Sequence, residues 1–111
     1  MDNSAKTPER SPDGRLIEQL AKSGSDLSKL HQFVFTLRFP TPAAAERADL
    51  QLLGLAFKTR MEPGKTPEER VLHGTKVMYP VESDLEGLRQ KLTTIAAETR
   101  GVYEGWKARP N

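Results

Sequence analysis

The side chains able to do chemistry here are few, and the ones that usually act together are scattered. His31 and His73 are the two imidazoles, groups able to hold a metal or move a proton near neutral pH. A metal site needs them to converge with carboxylates, and neither an HxH nor an HxxxH spacing is present. Glu68-Glu69 and the Glu82, Asp84, Glu86 cluster offer neighbouring carboxylates. Acid–base work by such groups needs desolvation to move their proton affinities. A loop and a helix N-terminus account for these two clusters through solvation and the helix dipole. Gly64-Lys65-Thr66 has the ending of a phosphate-binding loop, but Thr59 stands where that motif needs its first glycine, and no helix follows. With no cysteine in the chain, disulfides and thiolate metal sites are excluded. The expectation is a protein without catalytic residues, metal or cofactor.

Binding chemistry is better represented. Open sheets stack bases on exposed strand aromatics flanked by Arg or Lys. Tyr103 and Trp106 lie three apart on a predicted last strand, so on a regular strand one packs inward and the other reaches the open face. Gly105 between them marks a bulge or a close approach by another element. Arg38 and Lys76, with Lys107 beside them, are the cations nearest to such a face. Arg38, Lys76, Tyr103 and Trp106 are therefore the candidate binding residues, although packing and solvated sheet positions suit the same side chains.

The elements that must position them follow from periodicity and punctuation. Residues 1–12 hold two prolines and little to bury, which predicts a flexible arm. Asp13 is expected to cap a helix whose stripe is Leu16, Ile17, Leu20 and Ala21, stopped by Gly24. From His31 to Phe39 the chain alternates strictly, with Phe33, Phe35, Leu37 and Phe39 on one side, predicting a strand with one face in the core. Thr41-Pro42 opens a helix rich in alanine that ends near Gly54. Phe57–Glu62 and Val71–Tyr79 read as strands, the second with too little alternation to say which side faces inward. Ser83 to Glu86 has the capping-box pattern, and Leu85, Leu88, Leu92, Ile95 and Ala96 form a helical stripe that Gly101 stops. Gly101–Lys107 is the final strand.

After the first helix the order is β-α-β-β-α-β. This predicts an α+β fold, a ferredoxin-like split βαβ sandwich with a four-stranded antiparallel sheet, two helices on one face and an extra N-terminal helix. A single domain over 13–109 is expected, because 111 residues are too few for two ordinary ones. Two helices cover one side of the sheet, which leaves the other to solvent, to the first helix or to a partner.

The chain carries 17 basic and 15 acidic side chains, a net charge of +2, with the signs mixed along its length. No like-charge run exceeds Glu68-Glu69, whereas a generic nucleic-acid binder clusters its cations. No apolar run approaches the roughly 20 residues that span a bilayer, and the first residues carry no secretory signal. The expected compartment is the cytoplasm.

Three stretches together resemble the family of the regulator of ribonuclease activity B, RraB. They are Gly24-Ser25-Asp26-Leu27-Ser28-Lys29-Leu30-His31 leading into Phe33-Val34-Phe35, Leu72-His73-Gly74-Thr75-Lys76-Val77-Met78-Tyr79-Pro80, and Tyr103-Glu104-Gly105-Trp106. Their order and separation extend the resemblance over about residues 13–109. It implies a non-enzymatic inhibitor that binds an endoribonuclease such as ribonuclease E and changes RNA processing. Two alternatives stand beside it: an RNA-binding module using the open sheet face, and an antitoxin- or immunity-like inhibitor of another enzyme.

Overall fold

A computed structural model describes residues 11–109 of the chain. Of the arm expected over residues 1–12, residues 1–10 lie outside the described residues, and Ser11 and Pro12 belong to the start of the first helix. The alternating segment is β1 (His31–Phe39), and its Phe33, Phe35, Leu37 and Phe39 are wholly buried, each contributing about 2 kcal/mol through removal from water. β1 sits in the middle of a four-stranded sheet of order β2-β3-β1-β4, with β2 at Lys58–Pro63, β3 at Arg70–Met78 and β4 at Val102–Ala108. All three pairings are antiparallel. Two strands joined through a helix are thus parallel to each other with a third strand between them, as the β-α-β-β-α-β order requires.

Helix α2 (Pro42–Gly54) is capped by Thr41, whose hydroxyl accepts from the Ala44 N–H, and it starts with Pro42. Its Ala44, Ala45, Ala48 and Leu52 bury against the sheet, and helix α3 (Glu82–Glu98) adds Leu85, Leu92, Ile95 and Ala96 to the same core. Both helices cover one face. Small alanines let α2 approach closely, and Phe57 meets Phe35 edge to face at 5.6 Å.

The poorly alternating third strand is resolved by its register. Leu72, Gly74, Lys76 and Met78 face the helices, while Val71, His73, Thr75 and Val77 face away. A methyl group on Gly74 would lie 2.9 Å from Leu52 and 3.1 Å from Phe57, so this glycine is an inward position that a neighbour fills.

Three local expectations are corrected. Helix α1 (Pro12–Lys22) begins at Pro12, and its cap is Ser11, whose hydroxyl accepts from the Gly14 N–H. Asp13 is a buried residue of the first turn and caps nothing. Helix α3 starts at Glu82 behind Val81 without a side-chain cap, so Ser83 lies inside the helix. The left-handed residue after α3 is Arg100 (φ 63°), one before Gly101. Gly24 does turn the chain out of α1, at φ 90°.

Candidate functional site

The face of the sheet turned away from α2 and α3 is built in rows by the pairing register. Glu62, Val71, Arg38 and Val102 form one row, and Arg60, His73, Thr36 and Gly105 the next. Lys58, Thr75, Val34 and Lys107 form a third, followed by the Val77–Gln32 pair. A shallow concavity of about 450 Å³ lies over the last three rows, with Arg109 at its rim.

The first row is an ion-pair network. Arg38 donates from Nε and Nη2 to the two oxygens of Glu104 (2.9 and 3.3 Å) and from Nη1 to Glu69 (3.0 Å). The hydrogen bond to Glu104 raises the Arg38 pKa further above its ordinary value. Glu69 is held below the usual glutamate value, first by the Lys65 N–H it accepts at 2.6 Å and then by Arg38. In the second row His73 Nε2 donates to Glu62 Oε2, and Nδ1 lies 3.2 Å from the Thr36 hydroxyl. That bond lowers the Glu62 pKa, and Arg60 adds a weaker contact at 3.5 Å.

A hydroxyl, an imidazole and a carboxylate therefore stand in line at Thr36, His73 and Glu62. Acyl transfer also needs donors aimed at a developing oxyanion. Here the strand's own N–H groups lie within a four-stranded ladder, and the group sits on an open face. The arrangement fixes side chains in register and offers no enclosed reaction site. Among the described residues, no three His, Asp or Glu side chains gather as metal ligands would.

The four candidate binding residues are not brought together. Arg38 lies on the open face, engaged on both sides. Lys76 faces the helices: its ammonium donates to the Leu55 carbonyl (2.8 Å) and lies 4.7 Å from the centroid of the Phe57 ring. Tyr103 and Trp106 also both face the helices, which a regular strand would forbid. The register shifts between Thr36 and Leu37, so that Gly105 pairs Thr36 and Tyr103 pairs Leu37. Glu104 is the extra residue of a β-bulge, and Gly105 takes the φ of 114° that the bulge demands.

Trp106 packs edge to face on Phe33 (5.0 Å) and donates from Nε1 to Asp13 Oδ1 (2.9 Å). The other oxygen of Asp13 accepts from Arg89 Nε (2.7 Å). Asp13, only 2% exposed, thus ties α1 to both β4 and α3. Tyr103 packs beside this group. Burial, aided by the Asp13 charge, pushes its pKa above the ordinary tyrosine value. His31 is likewise structural: Nδ1 donates to the Lys29 carbonyl (2.8 Å) and Nε2 meets the Ser25 hydroxyl (2.7 Å), holding the loop from α1 to β1.

With the geometry in place, comparison with known proteins decides the family. The family model of the regulator of ribonuclease activity B matches residues 10–108. The chain belongs to the RraB family. Each of the three stretches that resembled it makes a distinct device of this RraB-family structure. The first is the His31-locked loop, the second the strand carrying His73 and Gly74, the third the bulge that turns Trp106 inward. No curated protein matches the chain. Among solved structures, the YXEP protein of Bacillus subtilis, titled a dinuclear metal binding peptidase from the M20 family, is similar at 20% identity with a TM-score of 0.46. The match covers 73% of this chain and 25% of that one, and so loose a likeness carries neither fold nor activity across. Among the described residues, no helix is long and apolar enough to cross a membrane.

Proposed function

We propose that this RraB-family chain is a non-enzymatic, cytoplasmic regulator that binds an endoribonuclease of ribonuclease E type and so modulates RNA processing. Family membership supports regulation of a ribonuclease. The observation that supports protein binding is the sheet face that no helix covers among the described residues, with one row of fixed ion pairs and a concavity rimmed by cations. A single-stranded RNA ligand has less support, because Tyr103 and Trp106, the two candidate platforms for stacking bases, both face the helices.

The test is co-purification of the chain with ribonuclease E from the same cell, with cleavage of a labelled RNA followed as the chain is added. A complex and slowed cleavage are expected. No complex, together with unchanged cleavage at a large excess, would overturn the reading. Slowed cleavage that tracks binding to the labelled RNA itself would favour the RNA-binding alternative, and capture of a different enzyme the immunity-like one.

A further inference from the structure

Charge is divided unequally over the open face. Lys58 and Lys107 end one row, three strand spacings apart or roughly 14 Å. Arg60 and Arg109 stand two residues further along the same two edge segments, on opposite sides of that row, and all four side chains are exposed. Lys58, Lys107 and Arg109 make no ion pair among the described residues, and Arg60 has only its 3.5 Å contact with Glu62. The floor between them is Gln32, Val34, Thr75 and Val77, without charge, and Val77 is 60% exposed. Among the described residues this end carries Lys58, Lys107 and Arg109 and no carboxylate, while Arg60 lies one row nearer the other end, against Glu62. The other end sets Glu62, Glu69 and Glu104 against Arg38 and Arg60, three negative charges and two positive.

We infer that the cation-rimmed half of this face docks an extended acidic segment of the partner protein, its carboxylates on Lys58, Lys107 and Arg109 and its small apolar side chains on Val34 and Val77. The inference rests on the protein-binding reading above and adds the surface and the partner's chemistry. Carboxylates complement the rim, and a shallow, uncharged, β-branched floor suits an extended chain laid across it. A second copy is a poorer occupant. The carboxylates it would present from the same face are already held by Arg38, His73 and Arg60.

The experiment titrates the isotope-labelled full chain, by NMR, with a short synthetic peptide alternating Glu and Val. A Lys–Val peptide and an oligouridylate serve as comparison probes. Saturable shifts are expected at Val34, Thr75 and Val77, weakening with salt. The variant carrying Lys58→Glu, Lys107→Glu and Arg109→Glu should keep a folded spectrum and lose affinity about tenfold or more. A control carrying Arg47→Glu and Lys91→Glu on the helices should bind as the parent does. No saturable shifts, shifts centred elsewhere, tighter binding of oligouridylate at the same face, or self-association through it would each overturn the inference. Capture of ribonuclease E by the parent and the triple variant alike sinks this surface but spares the regulatory reading. Peptide binding without capture of ribonuclease E does the reverse.

Discussion

Asp13 is a charge almost wholly withdrawn from water, and its two partners depend on it unequally. Arg89 keeps 31% of its side chain exposed and can return to solvent, whereas the Trp106 N–H is buried. Replacing Asp13 by Ala strands one buried donor, at a cost of about 2 kcal/mol. Arg89→Met leaves a buried carboxylate without its cation and should cost more, about 3–5 kcal/mol. The double variant should fall well short of the sum, because each change removes the other's liability. Urea unfolding followed by circular dichroism measures all three, and an Arg89→Met no worse than Asp13→Ala would sink this account. Tyr103 gives the opposite sign. Its hydroxyl is buried and has no hydrogen-bond partner among the described residues, so Tyr103→Phe removes a desolvated polar group and should stabilise by up to about 1 kcal/mol. A loss of stability instead would mean that the hydroxyl is satisfied by water.

At the scale of the elements, the bulge in β4 decides where the aromatics go. Gly105→Ala places a side chain at φ 114° and should cost about 2 kcal/mol. A more specific readout comes from the emission of Trp106, the one tryptophan. If the strand escapes strain by losing the bulge, Trp106 changes face and its fluorescence shifts to the red; unchanged emission and stability would show that the bulge does not set the phase. The glycine pointed to such a bulge in advance, but only the pairing with β1 tells that the phase change brings both aromatics inward. β1 itself was legible because, after His31, its inward positions Phe33, Phe35, Leu37 and Phe39 are all large and apolar. β3 was not, because Gly74 and Lys76 take inward positions while Val71 and Val77 take outward ones. Lys76 can sit there because its stem lies over Phe57 and its ammonium finds the Leu55 carbonyl. Asp13 had the local signature of a cap, and no local pattern tells it from a residue that bonds a tryptophan 93 positions away. The uncovered face could be counted from two helices and four strands, but its cation rim needs the register of three strand pairs.

For the molecule as a whole, a near-neutral net charge conceals a face that is acidic at one end and basic at the other, and acid acts on the two ends differently. The basic rim stays charged as pH falls. The acidic end is held by Glu62 and Glu69, both with folded pKa values below the ordinary glutamate value of 4.5. Such groups bind protons more weakly when folded, so their contribution is fully present above pH 4.5 and is lost as pH falls through the folded values. Protonation frees Arg38 from Glu69 and weakens the hold of Glu62 on Arg60, leaving the two arginines with less counter-charge over the first two rows. Stability measured by urea unfolding should therefore decline below pH 4.5 in the parent chain. In a variant carrying Glu62→Gln and Glu69→Gln, stability at neutral pH should be lower and the decline shallower, since the groups that titrate are gone. Added salt should lessen the parent's decline by screening the unpaired cations. Parallel acid limbs in the two proteins would mean that carboxylates elsewhere, and not this row, set the acid stability of the fold.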